Sequence, residues 1–197
     1  MLAPIQHLPP EWLHRISVVQ YHRMIAAGVF DEDARVELLE GAIVEVSPHT
    51  VAHARIITKL TRLFVTHAPA TLVVRPQLPL TLPPYGEPEP DLAIVAADEE
   101  DRNTGHPEHA LLVVEVASHS LAKDRGIKAA IYARHGIEEY WIVNVANQRL
   151  EAYRDPLPQE ERYRTTLVVR GSESLAPLAL PGASVVVEEL LGGAGGS

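Results

Sequence analysis

A chain of 197 residues, 46% of them hydrophobic, is long enough for one domain with a sizeable core, and we read residues 1–191 as that domain and residues 192–197 as a flexible Gly-rich tail. Its apolar runs reach about half of the roughly 20 residues that a membrane-spanning helix needs, and MLAPIQHLPPEW lacks a basic head before an apolar segment, so no membrane association and a cytoplasmic address are expected. The absence of cysteine excludes disulfides and thiolate metal sites, and a formal charge of −9 excludes a broadly basic nucleic-acid-binding surface.

In chain order, Ser17 is placed to cap a helix that passes Tyr21, Met24 and Ile25 and stops at Gly28. The runs 36–39 and 42–46 flank Glu40-Gly41 and read as a tight N-terminal β-hairpin. From His49 to His67, apolar residues at Ala52, Ile56, Leu60, Leu63 and Phe64 keep helical spacing. The same helix carries Arg55, Lys59 and Arg62 at i, i+4 and i+7. This stripe is either a candidate nucleic-acid contact or the solvated face of an amphipathic helix. Between Thr71 and Leu82, β-prone runs broken by Pro76 and Pro79 suit an edge strand. A strand over 92–95, a polar loop over 96–107 and a strand over 111–116 follow.

Residues 122–135 read as a helix ended by Gly136, and 139–145 as the next strand. A strand, helix, strand succession of this size is a right-handed crossover between parallel neighbours, so the core is mixed α/β. Residues 150–154 and 163–170 look like extra antiparallel strands, and 185–191 like a last short element.

Phosphate-binding glycine loops, an H-E-x-x-H helix and a G-x-S-x-G elbow do not occur. Ser118-His119-Ser120 is a poor nucleophile candidate, and Ser118 or Ser120 is better read as a helix cap. Two acids and a lysine remain. Glu115 shares a face with Leu111 and Val113 in an otherwise apolar run, and Asp91 heads another strand together with Ala93 and Val95. An ionised carboxylate in such a setting is expensive unless compensated. Two of them at the ends of neighbouring strands can share Mg²⁺ or Mn²⁺, which takes oxygen ligands. The alternative is that each acid simply ends its strand at solvent. On the crossover helix, Asp124, Lys128 and Tyr132 form one stripe, so Lys128 can fall near the ion, or instead form a surface pair with Asp124.

The series VELLEG-IVEVSP, His53, EPD, VVEVASHS, D-x-x-x-K-x-x-x-Y and GIEEYWIV resembles the Uma-two family, a branch of the PD-(D/E)xK nuclease superfamily, from about Ser17 to Leu191. The resemblance implies a restriction-endonuclease-like fold, a mixed central β-sheet flanked by helices, and Mg²⁺-dependent hydrolysis of phosphodiesters, with DNA as the substrate. It matches Asp91 to the Asp of the first motif and Glu115 to the acid of the second. Ala117 stands where the superfamily's simplest pattern has Lys, and Lys128 takes the family's displaced position. Glu37 in the hairpin becomes an extra ligand or remains a solvent-facing residue. His53 becomes a phosphate contact or a satisfied core histidine. Tyr132 and Trp141 are read as packing residues. A nuclease-fold module that binds nucleic acid without cutting is the alternative function, and a homodimer or higher homo-oligomer is admitted as an assembly.

Overall fold

The computed structural model describes residues 12–31, 33–46, 50–101, 105–118 and 120–192, which leaves His49, His119 and residues 193–197 of the expected tail outside the described residues. Helix α1, Val18–Ala26, begins at a capping box: Ser17 Oγ accepts from the Gln20 N–H while the Gln20 side chain accepts from the Ser17 N–H. Strands β1, Val36–Leu39, and β2, Ala42–Glu45, form the hairpin. Its turn puts Glu40 and Gly41 at φ 53° and 78°. A Cβ at Gly41 would lie 2.7 Å from Arg15 Cβ, so the sequence offers glycine there for space as well as conformation. A bridge from Leu38 to Glu87 ties the hairpin to the rest of the molecule.

Six strands build the central sheet in simple sequence order: β3 Leu72–Pro76, β4 Leu92–Ala96, β5 Leu112–Ala117, β6 Glu139–Asn144, β7 Arg149–Leu157 and β8 Arg162–Arg170. Only β5 and β6 run parallel, as the crossover requires. Every residue of β5 and β6 is buried, which explains why these two read as continuous apolar runs rather than alternating ones. The proline-interrupted β3 lies at the edge.

Alternation divides the core into two layers. Leu92, Ile94, Leu112, Val114, Trp141 and Val143 face helix α2, Val51–His67, through Ile56, Leu60 and Phe64, and also meet the C-terminal helix α6, Val187–Leu191. Fully burying a side chain such as Phe64 or Leu60 contributes about 1.5–3 kcal/mol. On the other face Ala93, Val95, Val113, Tyr140 and Ile142 meet Ile131, Tyr132 and Ala133 of the crossover.

That crossover is not one α-helix. Leu121–Lys123 forms α4, Asp124–Lys128 a π-helical turn, and Ala129–Arg134 helix α5; we number the short helix Ala97–Glu100 in the preceding loop α3. Strands β9, Ser174–Leu175, and β10, Val185–Val186, pair just before α6. The result is a mixed α/β architecture with an N-terminal hairpin and extra antiparallel strands. No helix among the described residues is long and apolar enough to cross a membrane.

Candidate active site

The register of β4 and β5 pairs Leu92 with Val114, so one step beyond the ladder sets Asp91 opposite Glu115. Residues directly opposite in an antiparallel pair have Cβ atoms roughly 5 Å apart. The ladder stops there because the Asp91 side chain replaces it: Oδ2 accepts the Val116 N–H at 2.7 Å and lies 2.8 Å from His53 Nε2. His53 arrives from the first turn of α2, whose N-cap Thr50 accepts the His53 N–H. Asp91, Glu115, His53, Asp124 and Lys128 all line one cavity of about 310 Å³ at this end of the sheet.

Glu115 is buried within β5 as its apolar surroundings predict. Its Oε1 accepts from Lys128 Nζ at 2.9 Å and from Tyr132 Oη at 2.8 Å. Tyr132 is packed in the core as its sequence reading expects, and in addition its hydroxyl holds the Glu115 carboxylate. Lys128 also lies 3.0 Å from Glu37 Oε2, with its side chain only 4% exposed. This rules out an exposed Asp124–Lys128 pair. Burial alone would lower the Lys128 pKa, but the Glu115 and Glu37 carboxylates outweigh it and hold the ammonium well above its ordinary range. Glu37 is buried rather than solvent-facing, and it binds Lys123 Nζ at 2.7 Å as well as Lys128. Burial pushes its carboxyl up, and the two lysines more than reverse that, leaving it below the ordinary value. Glu37 thus holds the lysines and does not line the cavity.

Asp124 is the acid that sequence reasoning undervalued. It is 1% exposed, Oδ2 accepts from Ser120 Oγ at 2.5 Å, and Oδ1 is buried without a donor among the described residues. Ser120 therefore spends its hydroxyl on Asp124 and does not cap α4 through its side chain. Burial raises the Asp124 carboxyl. Burial also raises Glu115, against Lys128 and with help from Asp124, Asp91 and Glu37. The signal available in sequence was the spacing of Asp124 and Lys128, which does place both on one face.

The basic stripe of α2 lies on the layer facing away from Glu115. Arg55 and Arg62 are exposed. Lys59 Nζ instead donates to the carbonyls of Glu189 and Leu190 at 2.5 and 3.1 Å, ending helix α6. Lys59, although exposed, thus also holds the end of α6, a contact that the stripe's spacing did not announce.

The donor set suits a hard divalent cation. Carboxylates crowd this end of the sheet: Asp91, Glu115 and Asp124 line the cavity, and the charge of Asp91 adds to burial in raising the carboxyls of the other two, while Lys123 and Lys128 supply ammonium groups beside them. Among the described residues no three His, Asp or Glu side chains converge tightly enough to cage a bare ion. Two carboxylates with water in the remaining positions is the habit of Mg²⁺.

A family model described as "Putative restriction endonuclease" matches residues 18–188. The chain belongs to the Uma2 family. Its fold has a solved counterpart in an Anabaena variabilis protein described as a "putative nuclease belonging to DUF820", with a TM-score of 0.70, 14% identity, and coverage of 89% of this chain and 97% of the other. No curated protein sequence matches. The Uma2 match runs from the start of α1 into α6 and includes every residue that lines the cavity.

Proposed function

We propose that the chain is a metal-dependent endonuclease that hydrolyses phosphodiester bonds in DNA, with Asp91 and Glu115 as ligands of Mg²⁺ or Mn²⁺. The observation that carries this reading is the convergence of Asp91, Glu115 and Lys128 on one cavity whose carboxylates outnumber its ammonium groups. A divalent ion bound there supplies Lewis-acid polarisation of the phosphate and a lowered pKa for the attacking water.

The chain's own groups divide the remaining work. The Val116 N–H and His53 fix the Asp91 carboxylate, and Tyr132 with Lys128 fixes Glu115. The Lys128 ammonium, kept cationic between two carboxylates, stabilises the negative charge that grows on the phosphate oxygens in the transition state. Glu37 holds Lys128 in place from the hairpin side.

Single-turnover cleavage of DNA with Mn²⁺ tests this. Lys128→Ala should lower the rate about a hundredfold or more while leaving DNA binding within a few-fold. Asp91→Asn should abolish cleavage. Equal degradation by the parent and Asp91→Asn would assign the activity to a contaminant. A well-folded parent that binds DNA yet never cuts it would make the chain a nuclease-fold binding module.

A further inference from the structure

Register places four residues in one row across the sheet: Ala117 of β5 pairs with Asn144 of β6, Asn144 with Arg149 of β7, and Arg149 with Arg170 of β8. The row below runs from Glu115 through Ile142 and Glu151 to Val168 by the same pairings. Directly paired residues share a face, so both rows lie on the side of the sheet that carries the cavity, at the end where the cavity opens. Strands are roughly 4.8 Å apart, so Ala117 to Arg170 spans about 14 Å.

This row is cationic where the rest of the chain is acidic. Glu151 binds Arg125 of the π-helical turn through Nε and Nη2, at 2.8 and 2.5 Å, and Arg149 through Nε at 2.8 Å. Both arginine side chains keep exposed surface, 37% and 22%. Arg170 is exposed, and its guanidinium has no ion-pair partner among the described residues; the neighbouring Glu173 accepts only its backbone N–H. Arg149 and Arg170 stand directly opposite one another, like charges that repel across a strand pair, and Glu151 offsets this only on the Arg149 side. Lys123, at the cavity wall, stands two residues before Arg125.

We propose that a DNA strand entering the cavity continues over this end of the sheet, its phosphates held by Arg125, Arg149 and Arg170. About four phosphates of one duplex strand fit along 14 Å. The contacts go to the backbone, so they position the strand without reading its sequence. This path replaces the α2 stripe, which occupies the opposite layer. It rests on the endonuclease reading above, and its test separates the two.

The experiment measures anisotropy of fluorescein-labelled duplex oligonucleotides of two unrelated sequences in Ca²⁺, over a salt series, with the oligonucleotides checked for integrity. Arg170→Ala should weaken binding several-fold on both sequences and reduce the slope of log K against log salt by about one. Arg149→Ala, which removes one of several donors to Glu151, should do the same, and a melting curve shows that it is folded. Arg62→Ala should leave affinity and slope unchanged. The proposal is overturned if Arg170→Ala and Arg149→Ala bind like the parent, or if Arg62→Ala alone carries the loss. A parent without measurable DNA affinity overturns the endonuclease reading and this path together.

Discussion

Asp124 Oδ1 is a buried carboxylate oxygen without a donor among the described residues, close enough to Asp91 and Glu115 for their charges to act on one another. Leaving such an atom unsatisfied costs about 1–3 kcal/mol. Asn has the same shape, keeps an oxygen for the Ser120 hydroxyl and removes one charge. Asp124→Asn should therefore raise the melting temperature of the metal-free protein, and a clear drop would show that the carboxylate carries a bond of value. Glu151 is the opposite case. Burial alone would raise its carboxyl, but hydrogen bonds from Arg125, Asn144 and Arg149 pull it down to about 2. A carboxyl lowered in the folded state contributes stability above its ordinary 4.5, and that contribution fades as pH falls from there toward about 2. Glu151→Gln should be less stable than the parent at pH 7 and should show a shallower decline across pH 4.5 to 2; parallel pH curves in urea melts would refute this. The meeting of Asp91, Glu115 and Lys128 at one cavity was legible because strand parity and helix spacing are local rules. The contacts of Lys59 with Leu190, Glu37 with Lys128 and Glu151 with Arg125 were not, since these partners lie 131, 91 and 26 residues away and depend on how layers stack.

At the scale of elements, the π-helical turn is the feature that local periodicity missed. The Ala129 N–H reaches back to the Asp124 carbonyl, five residues earlier, and Asp124 and Lys128 are both buried on the cavity side. Its cost is visible in Ile127, a large apolar residue left 39% exposed. Single π-type turns inside helices are often found at functional sites. Gly126 sits in the turn with ordinary φ, and nothing lies within 4 Å of a Cβ built there. Gly126→Ala should stabilise the protein by about 0.5–1 kcal/mol by restricting the unfolded chain. The turn should survive, because Tyr140 Oη also donates to the Asp124 carbonyl and Arg125 is held by Glu151. Thermal melts and the cleavage rate check both halves: a stabilised variant with lost activity would mean that alanine had converted the turn to α-helix and rotated Lys128 away. The hairpin, α2 and the parallel β5–β6 pair followed from sequence because each is set by neighbours within about 30 residues. The antiparallel β4–β5 pair that sets Asp91 against Glu115 had no such signal, since the segment 97–111 between the strands is far longer than the tight turns that fix register.

For the whole molecule, the net charge of −9 and the carboxylate-rich cavity act in the same direction. Folding gathers like charges that the unfolded chain keeps apart, and on the proposed reading a cation bound at the site would offset part of that repulsion. A ligand that binds only the folded state adds roughly 2.7 kcal/mol at a hundredfold excess over its dissociation constant. Mn²⁺ should accordingly raise the melting temperature, with a midpoint that follows concentration. Asp91→Asn and Glu115→Gln should lose this response. Neither substitution should be costly without metal, since each relieves crowding: Glu115→Gln keeps an oxygen for Tyr132 and Lys128, and Asp91→Asn keeps one for the Val116 N–H. Monovalent salt at equal ionic strength separates site binding from general screening, which acts on all surface charge alike. A shift of the same size in the parent and both variants would place the cation elsewhere on this acidic surface and remove the support for Asp91 and Glu115 as its ligands.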